Sequence, residues 1–419
     1  MGISKARLNI GVVVLALLSL TNLLALISPR TDDDPNSIAR VPIQAVTGLV
    51  LVLMWGALVF VKKHFNPVTR GITIFIFMII VYAAYYFFTQ KFIGAEFSPY
   101  IKTLTWATGI LFFYEMFLLY GINQRAMRFY IITSILAVAK EILVTSKFES
   151  ATLGAGDTAS LPLLFIMPMV LLMFSKRNRI ILLGILFVLV LLSLRRTSIL
   201  AAVCCIPFIW KDLKAKLKPG VVLVAVVLFV VGFAVTWHYL GDAISYRFAE
   251  ISQGGSKGDY GSGRSRFYLL VWDSWFAGDA YSVIFGNGLT ILRHLLMRES
   301  FGLEHAHDDF LEIGYTFGLL GEFIWLYFLG GFWGLRRKIK KYSPNNINMF
   351  YIGFFSYMVI GLASGCILRI TTISLSLTLA VFMYNISNGK KQKDALKLEM
   401  LIAAENEKLK RAKPDLVVA

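Results

Sequence analysis

Twelve apolar runs constrain what this 419-residue chain can fold into more than any other feature. They cover roughly 8–28, 41–61, 71–89, 103–121, 127–145, 160–175, 179–194, 197–212, 219–240, 310–334, 348–367 and 370–387. A helix needs about 20 apolar residues to cross the hydrocarbon core of a bilayer. Most runs reach or approach that length; the sixth, seventh, eighth and twelfth are short. Backbone polar groups within lipid must be satisfied internally, so runs of this kind imply helices. Charged residues are only 16% of the chain, against about 25% in soluble domains. A disordered chain, a coiled coil and a soluble enzyme are excluded as the main architecture. The expected fold is all-α: a polytopic integral membrane protein of about twelve transmembrane helices. The first run follows Lys5 and Arg7, as a signal peptide would, but it is too long for a usual signal core and no A-x-A site follows. It reads as a retained anchor.

The net charge is +17, from 42 Lys+Arg against 25 Asp+Glu. On a soluble protein such an excess suggests nucleic acid. Here the basic residues fall in alternate connections: Lys5/Arg7, Lys62/Lys63/Arg70, Arg125/Arg128, Lys176/Arg177/Arg179, Lys211 to Lys218, and Arg336 to Lys341. The positive-inside rule assigns these to the cytoplasm, so no nucleic-acid partner is expected. Both termini are then cytoplasmic, and a long connection between the ninth and tenth runs faces outward. The expected organisation is 1–240, helices one to nine; 241–309, an extracytoplasmic loop with short amphipathic helices; 310–387, helices ten to twelve; and 388–419, a basic amphipathic tail lying on the cytoplasmic membrane surface. No internal repeat of the kind common in transporters is present.

The outward loop carries the chemistry. Residues 251–263 are glycine-rich and read as a loop. In the following stretch Phe267, Leu270, Val271, Ser274 and Trp275 fall near helical spacing, and LTILRHLLMRE after Gly288 is a second helical pattern. Glu304-His-Ala-His-Asp-Asp309 leads into run ten and holds His305 and His307; histidine is the commonest general acid/base. The cluster lacks a distant third partner at standard metal spacing, and no metal or cofactor is expected. Arg195 and Arg196 sit in a narrow break between two apolar runs, on the outward side against the charge trend, as does Arg369 between runs eleven and twelve. Charge at a membrane boundary is a functional hypothesis by default. With Arg264, Arg266, Arg293 and Arg298 they supply planar guanidinium groups suited to a lipid diphosphate. Snorkelling to lipid phosphates is the plainer reading of any single one. Glu115, Lys140, Glu141 and Glu322 read as structural intramembrane charges. Cys204, Cys205 and Cys366 read as buried small hydrophobes. Asp32-Asp33-Asp34 reads as a solvated cluster. No phosphate-binding loop, dinucleotide fingerprint or nucleophile elbow is present.

Four stretches, in order, resemble the O-antigen ligase and O-antigen polymerase superfamily of bacterial envelope glycosyltransferases. They are Ser193-Leu-Arg-Arg-Thr-Ser-Ile-Leu200, Ser262-Gly-Arg-Ser-Arg-Phe-Tyr268, Ile284-Phe-Gly-Asn-Gly288, and His305-Ala-His-Asp-Asp-Phe-Leu311 followed by Gly314 and Gly318-Leu-Leu-Gly321. Asp308 departs from the pattern, standing where the family commonly has Asn. The resemblance implies a metal-independent, inverting enzyme of the bacterial inner membrane. Its donor is a glycan on undecaprenyl diphosphate, and its acceptor is a glycan or lipid A-core. Carried over, His307 is the general base, and Arg196 and Arg264 bind the diphosphate. His305, Arg266, Arg195 and Asp308 stand second. Polymerisation of repeat units and ligation to lipid A-core share these motifs; polymerisation is the leading reading. Membrane lipids and polysaccharide-assembly proteins are the other expected partners. A non-enzymatic transporter of lipid-linked glycans and an assembly subunit are the alternatives of a different class.

Overall fold

The computed structural model describes residues 9–27, 40–88, 97–148, 161–193, 195–214, 264–288, 291–292, 295–296, 308–365 and 372–412. Among them there are helices and no strand. Eight helices come first: α1 (Ile10–Ile27), α2 (Arg40–Phe60), α3 (Pro67–Phe88), α4 (Phe97–Tyr120), α5 (Gln124–Phe148), α6 (Leu161–Met173), α7 (Lys176–Leu192) and α8 (Arg196–Lys214). Two short ones follow, α9 (Arg264–Phe276) and α10 (Ala280–Phe285), and then α11 (Asp309–Tyr342), α12 (Ile347–Ser364) and α13 (Ile373–Ala412). Eleven of the twelve apolar runs coincide with α1 to α8 and α11 to α13. Run nine, at 219–240, lies outside the described residues, as do Asp32 to Asp34, Cys366 and the turn around Arg369. Among the described residues five segments are long and apolar enough to cross a membrane: Ile10–Ile27, Pro67–Tyr85, Tyr100–Tyr120, Asp309–Tyr342 and Pro344–Ala363.

The helices are apolar on the outside as well as within, the pattern of a bundle solvated by lipid. Val59, Phe60, Phe77, Phe88 and Phe323 are exposed, while Phe75, Trp106, Trp325, Phe328, Phe332 and Phe350 form a buried aromatic column. The Phe75–Trp325 and Trp325–Phe328 ring centroids are each 5.0 Å apart. Two helices are enclosed by protein. In α6 every residue but Leu172 is buried, and in α13 every residue from Ile373 to Met383 is buried. Over its described length α6 is surrounded by neighbouring helices rather than by lipid. Enclosure explains the hydroxyls on α13. Ser376 donates to the Trp106 carbonyl at 2.6 Å, Thr378 to the Phe165 carbonyl at 3.1 Å, and Ser374 pairs with the Tyr130 hydroxyl at 2.9 Å. A Cβ on Gly109 would meet Ile373, so α13 begins level with the middle of α4.

Three of the basic connections, around His64, Arg128 and Arg179, are tied to neighbouring helices. Arg128 and Arg179 donate through Nε to the Met173 and Phe174 carbonyls, each at 2.6 Å. Cations thus fill acceptors left over at the end of α6. His64, in the link between α2 and α3, holds the buried Glu115 of α4 twice, with its backbone N–H on Oε1 at 2.5 Å and its Nδ1 at 2.8 Å from Oε2. Asn66 caps α3 through Val68 and Thr69 and donates to Met383 of α13. Lys140 donates to the Ala25 carbonyl of α1 at 2.9 Å. Cys205 is buried against Ser356, but Cys204 is exposed. Adjacent helical side chains point about 100° apart, so burying one cysteine turns the other outward, contrary to the expectation that both are core.

The tail, expected to lie on the cytoplasmic membrane surface, is helical as far as Ala412. From residue 388 to Ala412 it continues α13 without a break, and apart from Gly389 its residues are exposed as far as Lys408. A Cβ at Gly389 would collide with the Tyr342 carbonyl, so the glycine lets the two helices cross closely without interrupting either.

Candidate active site

The site is assembled around the N-terminal half of α11. Asp308 has extended backbone (φ −146°, ψ 122°) and caps the helix, its Oδ1 accepting from Phe310 N–H at 2.9 Å and Leu311 N–H at 3.0 Å. An N-cap carboxylate is normally favoured in its charged form. Here burial is the larger influence and pushes the Asp308 carboxyl up from its ordinary value; the two N–H bonds oppose it, and the charge of Glu312 adds to it. Asp309 is wholly buried, with the Tyr357 hydroxyl donating to its Oδ2 at 3.3 Å. A Cβ on Gly361 would stand 3.0 Å from the same oxygen. Glu312 is buried too, and Glu322 lies near Asp308, Asp309 and the Gly314 N–H.

Residues eight apart cannot meet in an unbroken helix, where they stand about 12 Å apart along the axis. Glu322 reaches Gly314 because α11 is broken at Gly318, whose backbone (φ 68°, ψ −168°) is non-helical and essentially restricted to glycine. Such a break strips carbonyls of their helical donors. The turn after α10 replaces them: Asn287 N–H donates to the Tyr315 carbonyl at 2.8 Å, and Gly288 N–H to the Thr316 carbonyl at 3.1 Å. The two backbones come so close that a Cβ on Gly286 would strike Thr316, and one on Gly318 would strike Ile284. Two of the sequence stretches, Ile284–Gly288 and Gly318–Gly321, are thereby the two halves of one clasp.

Beside the clasp, Val271 and Trp275 of α9 form a small core with Leu292, Leu296 and Tyr315. The Trp275 indole lies where a Cβ on Gly314 would be and donates to the Val283 carbonyl at 3.2 Å. This packing is the amphipathic pattern read from Val271 and Trp275, and it sets the second half of α9 beside α11.

The remaining stretch arrives through α12. Helices α8 and α12 run antiparallel: Cys205 meets Ile352 and Ser356, and Phe208 stacks on Phe355 with centroids 5.5 Å apart. This register sets the start of α8 beside the last turn of α12, where Gly361 adjoins Asp309. Arg195 is 6% exposed, and Thr197 and Ser198 are buried with it. Arg196 is the first residue of α8, and Arg264 and Arg266 lie in the first turn of α9; their side chains, and all of His305, His307, Arg293 and Arg298, lie outside the described residues. Asp308, the residue after His307, is described in full. Tyr357, Glu312 and the contact between Gly286 and Gly318 were not singled out by sequence reasoning; Asp309 stood in the sequence cluster, but its Tyr357 partner did not. Two glycines in the matching stretches are the one signal that pointed toward the clasp.

A helical bundle apolar on its outside, with carboxylates buried at the start of one broken helix, is consistent with a membrane protein. Residues 181–326 match the family model described as O-antigen ligase. That segment contains all four of the stretches above, and the resemblance to the O-antigen ligase and polymerase superfamily holds over it. Comparison with curated proteins found no match.

Proposed function

We propose that this chain is a membrane glycosyltransferase of surface-polysaccharide assembly, polymerising repeat units at the outer face of the bacterial inner membrane with both termini cytoplasmic and about twelve crossings. The observation that carries the reading is the family match over 181–326, supported by the packing of α9 on α11 and of α8 on α12. In the reaction His307 takes the proton from an acceptor sugar hydroxyl. The oxygen attacks the anomeric carbon with inversion, the bond to undecaprenyl diphosphate breaks, and the diphosphate leaves with the electron pair. Arg196 and Arg264 bind that diphosphate and offset the charge that develops on it. Arg195, Arg266 and His305 support them, and the reaction proceeds without a metal or cofactor. The carboxylates of the α11 start favour a positive charge on the neighbouring His307 as it gains a proton.

Ligation to lipid A-core is the second reading, favoured by the description of the matched family. A deletion strain separates them. Loss of long chains with one repeat unit still on core is expected for the polymerase; bare core with polymer held on the lipid carrier is expected for the ligase. In either case His307→Ala is expected to lower transfer by about 10²–10⁴ at normal expression. Undiminished polymer from that variant would overturn the base assignment, and full activity of Arg196→Lys would overturn bidentate diphosphate binding by Arg196.

A further inference from the structure

Among the described residues α9 and α10 run for 13 and 6 residues, short of the about 20 needed to cross a membrane. Yet they present a large apolar surface. On α9, Leu269, Trp272 and Phe276 lie on one face at i, i+3 and i+7 and are 61%, 50% and 43% exposed; Val271 and Trp275 on the opposite face are buried. On α10, Tyr281, Ile284 and Phe285 are exposed in turn.

Three contacts fix the depth of this surface. The Tyr281 hydroxyl lies beside that of Tyr85. The turn after α10 is clasped to Gly318. Next to Gly318, the Phe317 carbonyl accepts from the Tyr82 hydroxyl at 3.3 Å. Tyr82 and Tyr85 belong to the last two turns of α3, a helix of 22 residues and so about 33 Å long. Helix α10 therefore flanks the end of a membrane-spanning helix instead of standing beyond it. Its exposed face is continuous with Tyr85, Phe87 and Phe88, which are exposed on α3. Trp and Tyr settle at the headgroup boundary, and a short helix with one apolar face lies in the plane of that boundary.

We propose that α9 and α10 form a monotopic ledge embedded in the outer leaflet, with phospholipid chains covering Leu269, Trp272, Phe276, Tyr281 and Ile284. Resting on the functional reading above, the ledge holds Arg264, the first residue of α9, at headgroup depth. There it meets the diphosphate of a lipid-linked donor that never leaves the bilayer.

The test is a nitroxide label on Trp272→Cys in a chain whose Cys204 and Cys366 are replaced by alanine. The protein is reconstituted in nanodiscs of phosphatidylethanolamine and phosphatidylglycerol. Power saturation is read with oxygen, which concentrates in lipid, and with a water-soluble nickel chelate. Oxygen accessibility at 272 is expected to exceed nickel accessibility several-fold, with the order reversed for a label on Lys397→Cys of the exposed tail. Nickel-favoured relaxation at 272 would overturn the ledge. So would low access to both reagents with dipolar broadening, the sign of a second copy covering it. Leu269→Cys gives the same reading where Trp272→Cys does not fold. The label reports independently of turnover: oxygen-favoured labels on a chain that transfers no glycan keep the ledge and sink the enzyme reading, and the converse sinks the ledge alone.

Discussion

Asp308 shows how one position can hold two opposed demands. Its carboxylate supplies the acceptor for two N–H groups at the start of α11, yet burial disfavours the charge and raises its pKa above the ordinary 3.8. The folded state therefore binds this proton more readily than the unfolded chain. Its contribution to stability is full below 3.8 and declines as pH rises through the raised folded value. Asparagine, the residue the related family commonly carries here, keeps the oxygen acceptor and has no charge to bury. Asp308→Asn is expected to unfold at the same or a higher temperature at neutral pH, with a flatter dependence on pH upward from 3.8. Asp308→Ala removes the acceptor from both N–H groups and is expected to cost about 0.5–2 kcal/mol. Thermal unfolding in nanodiscs across that range checks both; an Asn variant weaker than the Ala variant would contradict the assignment. At this scale the sequence marks which residue types gather but not their long-range partners. Arg195-Arg196 and Asp308-Asp309 stand out as charges at run boundaries. Tyr357 does not, because a tyrosine inside an apolar run looks the same whether it faces lipid or a carboxylate 48 residues away.

The break in α11 is the element on which the site depends. The sequence presents 310–334 as one apolar run, and helical periodicity carries no sign that Gly318 leaves the helix. The break is a tertiary decision: the carbonyls of Tyr315 and Thr316 give up helical donors because Asn287 and Gly288 bring replacements. The amphipathic pattern of α9 was legible, since Val271 and Trp275 recur at the spacing of one buried face. Gly318→Ala forces an L side chain into a backbone region reserved for glycine and drives its Cβ into Ile284. A loss of at least about 1–3 kcal/mol is expected, together with faster proteolysis near the α10 turn. Gly330→Ala is the control on the same helix, since its Cβ would meet nothing within 4 Å. An alanine there is expected to be neutral or to stabilise by up to about 1 kcal/mol. Equal melting temperatures for the two variants would show that the clasp does not hold the break.

Across the whole molecule, alternation of charge was the most legible property, because each basic connection reports its own end of the bundle. The contacts of Arg128, Arg179, His64 and Asn66 tie three of those connections to neighbouring helices. The nesting of α6 and the first half of α13 inside the other helices was not legible, because a helix apolar on all sides suits lipid and protein equally. The same continuity that buries the start of α13 carries its polar end out of the bundle. Beyond residue 388 the contacts to the bundle are few: Gly389 passes the Tyr342 carbonyl, and Lys393 donates to the Lys341 carbonyl with its ammonium 5.7 Å from the Tyr342 ring centroid. Two truncations separate this collar from the projecting helix. A chain ending at Lys397 keeps the collar and is expected to melt within about 0.5 kcal/mol of the full chain. A chain ending at Asn388 loses the Lys393 bond and the Gly389 crossing, and is expected to be weaker by about 0.5–1.5 kcal/mol. If the shorter deletion destabilises as much as the longer one, residues 398–412 contribute to the fold, and the projecting helix is not the independent appendage that its exposure implies.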